Sequence, residues 1–231
     1  MKCSKNIVQE KSWKIIYQCR EDNSYLVEYK DILNLDSRKV FKIKGLGGNF
    51  LTINSFFLDY LNAYNVPTAY RKTEDNSILL QKHSIYPFSI TISNIIDKRT
   101  SRIFDKPEGT FLVLPVFEYR FGSNKDNLVT ESHLISLDIL PIEELKMIKR
   151  ICSKVNAVLK SYFERRNTFL AEISCSFGKD EEKIFITDDF TPVSLKILPL
   201  DTGVKQINPY KIKTAADYKE YVEFILSLTK N

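Results

Sequence analysis

The segment Gly45-Leu46-Gly47-Gly48 stands directly before a stretch of apolar residues at helical spacing, with Lys42 and Lys44 just upstream. Backbone N–H groups at such a corner, at the positive end of a helix dipole, would face an anion such as a phosphate. The spacing fits neither a Walker loop nor the dinucleotide fingerprint, so a plain turn stays open beside the phosphate contact. A second group is Asp188-Asp189, which follows an apolar strand. Paired carboxylates there suit a hard cation such as Mg²⁺, which takes oxygen ligands. Only one of two consecutive strand residues faces a given side, and a solvated turn is the competing reading. Ser101-Arg102, after Lys98-Arg99, forms a small cationic cluster that could meet a phosphate. Asp126 and Glu131, flanking Asn127-Leu128-Val129-Thr130, could hold an ammonium group or orient a surface loop. His83 and His133 are the only histidines, and neither lies in a nucleophile motif, so both are expected to be structural or exposed.

These residues must be positioned by elements that hydrophobic periodicity makes visible. Trp13 to Cys19 and Ser24 to Lys30 read as strands separated by the turn-forming Arg20-Glu21-Asp22-Asn23, which predicts a hairpin. Arg38 to Ile43 reads as a strand, and Phe50 to Tyr64 as a helix carrying Leu51, Phe57, Leu58 and Leu61. Strand character returns in Ser77 to Gln81, Tyr86 to Ser93 and Thr110 to Tyr119, where β-branched and aromatic residues are dense. The longest helix is predicted from about Pro141 to Asn167, since Leu145, Ile148, Cys152, Val155 and Leu159 recur every three to four residues. A further hairpin, Phe169 to Phe177 with Lys183 to Thr187, and a final amphipathic helix from about Thr214 to Leu228 complete an α+β chain with a mostly antiparallel N-terminal sheet.

Composition narrows the function classes. The chain has 231 residues, 43% hydrophobic and 27% charged, the balance of a globular protein. The net charge of +5 arises from 34 Lys+Arg against 29 Asp+Glu spread along the whole length, which suits a small anionic ligand and gives no nucleic-acid motif. There is no apolar run of the roughly 20 residues needed to span a bilayer, and the first residues lack the apolar core of a secretion signal, so a cytoplasmic protein is expected. Cys3, Cys19, Cys152 and Cys175 form no CxxC pair and are expected to be buried thiols.

From about residue 9 to residue 228 the order of these pieces resembles the SAICAR synthetase family. Glu10-Lys11-Ser12-Trp13-Lys14 stands where that family has an opening Glu-Gly-Lys-x-Lys strand, and Tyr29-Lys30-Asp31 is similar to its Phe-Lys-Asp. Gly45-Leu46-Gly47 takes the place of Gly-Lys-Gly, and Asn65-Val66-Pro67-Thr68-Ala69 that of Gly-Ile-x-Thr-His. Tyr86-Pro87 with its strand resembles the Pro-x-Glu strand, and Ser101 falls at the serine of an Ala-Gly-Ser loop. Asp126 to Glu131 resembles Asp-Pro-Met-Val-Asn-Glu, and Phe163-Glu164-Arg165 ends the long helix as the family does. Phe177-Gly178 matches Glu-Phe-Gly, and Asp188-Asp189-Phe190-Thr191-Pro192 with Lys196 resembles Asp-Glu-x-Ser-Pro-Asp with a downstream arginine.

The resemblance implies a two-lobed fold, residues 1–82 forming an ATP-binding lobe and 83–231 a substrate- and metal-binding lobe, with an ATP cleft between. It implies a ligase of purine biosynthesis or of a specialised pathway, using ATP and Mg²⁺ to join a carboxylate to an amine such as that of aspartate through an acyl phosphate. By position it implies that Lys14, Gly45, Gly47 and Lys82 contact ATP, that Asp188 binds Mg²⁺ with Asp189 beside it, and that Lys14 and Asp188 are catalytic. Ser101, Arg102 and Lys196 would meet the carboxylated substrate, while Asp126 and Glu131 would shape the amine-binding loop. Partners would be these small molecules, with no nucleic acid and no membrane, and a homo-oligomer is compatible with the pattern. Departures are numerous: Lys11, Ser12, Leu46 and Ala69 replace family residues, Ser89 and Ser93 replace a glutamate and an arginine, and Ser174 and Ser176 replace a lysine and a glutamate. Serine cannot reproduce an arginine fork, so an altered carboxylate substrate is expected. An inactive binding protein and a kinase-like phosphotransferase are the alternatives.

Overall fold

In the computed structural model the structure describes residues 5–19, 24–36, 39–122, 127–181, 183–187, 190–200 and 207–230. The chain forms two compact units, one made of residues 1–84, 190–192 and 207–231, the other of residues 85–189 and 193–206.

The first unit is built on an antiparallel sheet ordered β1-β2-β3-β7-β6, comprising Lys5–Glu10, Lys14–Cys19, Ser24–Tyr29, Ser77–Gln81 and Tyr70–Glu74. The predicted pairing of β2 with β3 is present, with Lys14 opposite Tyr29 and Cys19 opposite Ser24. A separate hairpin, β4 (Ile32–Asp36) with β5 (Lys39–Lys42), leads into α1 (Leu46–Ala63). This helix begins four residues earlier than periodicity predicts, because Gly45 adopts a left-handed conformation at φ 79° and turns the chain directly into it. Helix α1 lies against β3, β6 and β7 and against α5 (Ala215–Leu228), and Phe50 of α1 meets Tyr218 of α5 edge to face. The C-terminal helix starts where the sequence predicts, at a capping box between Thr214 and Asp217. Asn54, buried on α1, donates to the Tyr29 hydroxyl and accepts from the Phe190 amide, which ties the short 190–192 segment into this unit.

The second unit is an antiparallel sheet ordered β10-β9-β8-β11-β12, with β13 also paired to β11. Its strands are β8 (Ser84–Ile95), β9 (Phe111–Phe121), β10 (Leu128–Val129), β11 (Thr168–Asp180), β12 (Lys183–Ile186) and β13 (Leu195–Pro199). The long helix α4 (Ile142–Glu164) buries Leu145, Ile148, Ile151, Cys152, Val155, Leu159 and Phe163, a stripe at helical spacing, against β11 and β12. A buried amide pair fixes the contact: Asn94 of β8 donates to Asn156 of α4 at 2.8 Å and to the Leu170 carbonyl at 3.0 Å, and Asn156 donates back. Two short helices, α2 (Lys98–Phe104) and α3 (Glu131–Ser136), are capped by Asp97 and Thr130 respectively. Among the described residues no helix is long and apolar enough to cross a membrane. Cys152 and Cys175 are buried free thiols, burial pushing the Cys152 thiol up to about 12; Cys19, expected as a thiol, is disulfide-bonded.

Candidate active site

The glycine corner of the first unit meets an anion, and the anion is the protein's own. Asp31 accepts from the Gly45 amide at 2.9 Å with one carboxylate oxygen and from the Gly47 amide at 2.8 Å with the other. Its backbone is fixed in turn, since the Asp31 carbonyl accepts from the Ile43 amide. A carboxylate at a helix N-terminus satisfies donors that have no intrahelical partner and meets the positive end of the dipole. The expected pair of amides is therefore engaged within the protein. Gly47 has a second reason to be glycine: an added Cβ would sit 2.7 Å from the Tyr29 carbonyl oxygen. In the same unit Lys14, on β2, is only 3% exposed, and Lys82 is half-buried in the link between β7 and β8. His83 is buried, its Nδ1 2.7 Å from the Gln81 carbonyl oxygen and its ring edge-on to Tyr25, a structural role.

Strand alternation sorts the sheet of the second unit into two faces. Phe88, Ile90 and Ile92 of β8, Tyr119 of β9, Ile173, Cys175 and Phe177 of β11, and Leu195 and Ile197 of β13 occupy one parity and are buried. The opposite parity carries Ser89, Thr91 and Ser93 of β8, Glu118 and Arg120 of β9, Glu172, Ser174 and Ser176 of β11, and Lys196 of β13. Register places Ser89 opposite Arg120, Thr91 opposite Glu118, and Glu172 opposite Lys196. Arg120 donates from Nε to the Thr91 hydroxyl at 3.2 Å and from a terminal nitrogen to Glu118 at 2.7 Å, while Arg99 of α2 pairs with the other Glu118 oxygen. Burial lifts the Glu172 carboxyl above its ordinary range; Lys196 and Arg120 pull it down, Asp97 and Glu118 push it further up, and burial prevails.

Of the residues singled out in the sequence, Lys196 stands on this polar face, and its ammonium also reaches the Val193 carbonyl at 3.4 Å. Ser101 is half-buried and Arg102 exposed on α2, beside Asp97, whose carboxylate caps the helix at the Thr100 amide. Glu131, in the first turn of α3, already accepts from the Tyr119 hydroxyl at 2.8 Å and pairs with Lys149 at 2.7 Å. Burial alone would raise its carboxyl, but Lys149 and Tyr119 together hold it below the usual range. His133 completes the α3 cap with Thr130. Asp126, Asp188 and Asp189 lie outside the described residues, among which no cluster of three or more His, Cys, Asp or Glu could hold a metal ion. Glu118, Arg120 and Glu172 escaped the sequence reading. Their signal was present as charged residues at alternating positions of otherwise apolar strands.

The family model for SAICAR synthetase matches residues 9–212. Among curated relatives, the phosphoribosylaminoimidazole-succinocarboxamide synthase of Caldanaerobacter subterraneus subsp. tengcongensis is 27% identical over 207 residues, which are 87% of either chain. The crystal structure of the Ehrlichia chaffeensis synthase of the same name superposes with a TM-score of 0.83 at 21% identity, covering 97% of this chain and 95% of that one. A SAICAR synthetase in complex with ADP gives a TM-score of 0.82 at 23% identity, covering 94% and 96%. These neighbours share the α+β fold. With a match that spans most of its length, this chain belongs to the SAICAR synthetase family.

Proposed function

We propose that the protein is an ATP-dependent carboxylate–amine ligase of SAICAR synthetase type. The observation that carries this reading is the row of ionisable side chains, Glu118, Arg120, Glu172 and Lys196, kept on one face of a sheet whose other face is apolar. Desolvated charges are costly and are retained where they bind or position something. The family match and the relatives' names supply the reaction class. In that reaction a carboxylate oxygen attacks the terminal phosphorus of ATP and ADP departs. The amine nitrogen then attacks the acyl phosphate carbon, inorganic phosphate leaves, and the nitrogen loses a proton as the amide forms. Such transfers need charge neutralisation and alignment more than a protein nucleophile.

In this reading Lys14 meets the ATP phosphates and Lys82 borders the nucleotide, while Gly45 and Gly47 shape the corner through Asp31. The carboxylates of Asp188 and Asp189 are oxygen donors of the kind Mg²⁺ takes, and the ion would neutralise phosphate charge. Lys196, Ser101 and Arg102 receive an altered carboxylate substrate, and Asp126 with Glu131 orders the loop for aspartate or a related amine. A second reading, a protein that kept the fold without turnover, is favoured by Ser89, Ser93, Ser174 and Ser176 on the polar sheet face, where the family pattern has charged residues.

Two measurements separate them. Mg-ATP at 100 times its dissociation constant should add about 2.7 kcal/mol to stability. ADP release across a panel of carboxylates with aspartate should then appear and be abolished by Asp188→Asn. Binding of Mg-ATP with no ADP release from any pair would leave only the second reading, and absence of a thermal shift would sink the ligase.

A further inference from the structure

We propose that a cavity of about 250 Å³ between β8, β9 and α2 receives an apolar, unphosphorylated part of the carboxylate substrate. This rests on the ligase reading and specifies its substrate. The walls are chiefly Ile95, Ile96, Phe104, Leu112 and Val116, with Ser93 presenting only a short hydroxyl. The cavity exceeds the roughly 150 Å³ that suffices for a benzene ring between aliphatic walls, so a substituted ring fits.

The charges around it argue against a phosphate. Two lining groups are carboxylates, Asp97 and Glu118, and Lys106 is the lining cation. Asp97 accepts from the Thr100 amide at 2.7 Å and is fixed in place. Glu118, with only 10% of its side chain exposed, draws on both neighbouring guanidinium groups, Arg99 and Arg120. The forks that would hold a phosphate bidentately are thus turned onto an internal carboxylate. With Glu118 engaged by both guanidinium groups and Asp97 by a helix amide, Lys106 is the cation that the lining leaves for a dianion, and a single ammonium gives no bidentate hold on a phosphate. An apolar ring loses nothing by this arrangement and gains from leaving water.

The test titrates the full chain with 3-phenylpropionate and with ribose 5-phosphate by calorimetry. 3-Phenylpropionate should bind at least tenfold more tightly. Val116→Trp, at a partly exposed position, should fill the cavity and weaken that binding at least tenfold while the Mg-ATP thermal shift persists. Glu118→Gln should free the two arginines and tighten ribose 5-phosphate about tenfold, in a salt-dependent manner. Equal or tighter binding of ribose 5-phosphate by the unmodified chain would overturn the proposal. So would an absence of 3-phenylpropionate binding, or binding that Val116→Trp leaves unchanged. The Mg-ATP shift, read on the same samples, reports the ligase reading separately: its loss with 3-phenylpropionate binding intact removes the reaction but keeps the cavity's selectivity.

Discussion

The glycine corner and the polar sheet face both carry polar groups poised for ligands, yet they satisfy them differently. At the corner every feature closes inward: Asp31 takes the two amides, and Gly47 packs against the Tyr29 carbonyl. On the sheet face satisfaction is partial. Arg120 and Arg99 converge on Glu118, while Glu172, facing Lys196 across β11 and β13, has its carboxyl pushed above the ordinary range by burial. Glycine spacing alone therefore does not report an open anion site, since an aspartate fourteen residues upstream can fill it. Charges in alternate positions on the half-buried face of a sheet are the stronger sign, because partial desolvation makes them expensive to keep without use.

If the corner is a structural joint, damage there should unfold the protein before it affects chemistry. Gly47→Ala is expected to have the largest effect, about 1–3 kcal/mol, because the new methyl meets a backbone oxygen that belongs to β3 and has little room to move. Urea denaturation reads this directly. An unchanged midpoint would show that the corner yields and would weaken the contrast with the sheet face. Asp31→Ala should cost less, about 0.5–2 kcal/mol, the range for losing a helix cap. A gain in Mg-ATP affinity in that variant would reveal that the freed amides accept phosphate, blurring the distinction between the two regions.

On the sheet face the expected sign is opposite. The folded Glu172 carboxyl titrates above its unfolded value, so its contribution to stability is present below the ordinary carboxylate range and is lost as pH rises through the folded value. Glu172→Gln keeps the neutral form at every pH. It should match the unmodified chain in acid and become the more stable of the two toward neutrality, while ADP release falls. Lower stability at neutral pH would mean that Lys196 and Arg120 hold a carboxylate after all.

Much of this was legible in the sequence, for reasons that are local. The hairpin of β2 and β3 follows from two apolar, β-prone segments around a turn-forming Arg20-Glu21-Asp22-Asn23, the stripe on α4 from its three-to-four spacing, and the start of α5 from the amphipathic run that begins near Thr214. What local pattern does not contain is which distant segments meet. The union of α1 with α5, the anchoring of Phe190 by Asn54, and the capping of the corner by Asp31 all depend on contacts far apart along the chain. The same holds for the site. Lys14 and Lys196 were visible through the family pattern, but Glu118 and Arg120 acquire meaning only when register sets them beside Thr91 and Ser89. Strands such as β1, β4, β6 and β13 were missed because they are short and polar or interrupted, and their pairing rather than their propensity makes them strands.

The smallest effect expected is at Glu131, and it sharpens the contrast within the second unit. Its carboxylate is held below the ordinary range against the cost of burial by Lys149 and the Tyr119 hydroxyl, the reverse of Glu172. The stabilisation is therefore present above the unfolded value and disappears as pH falls through the folded one. With 41% of the Glu131 side chain exposed, solvent screens the pair, and Glu131→Gln should cost only about 0.2–1 kcal/mol at neutral pH. In acid the variant and the unmodified chain should converge. Denaturation at both ends of this range tests the assignment: a loss that persists in acid would trace to packing rather than charge, and would leave the carboxylate of Glu131 free for a role toward the amine substrate.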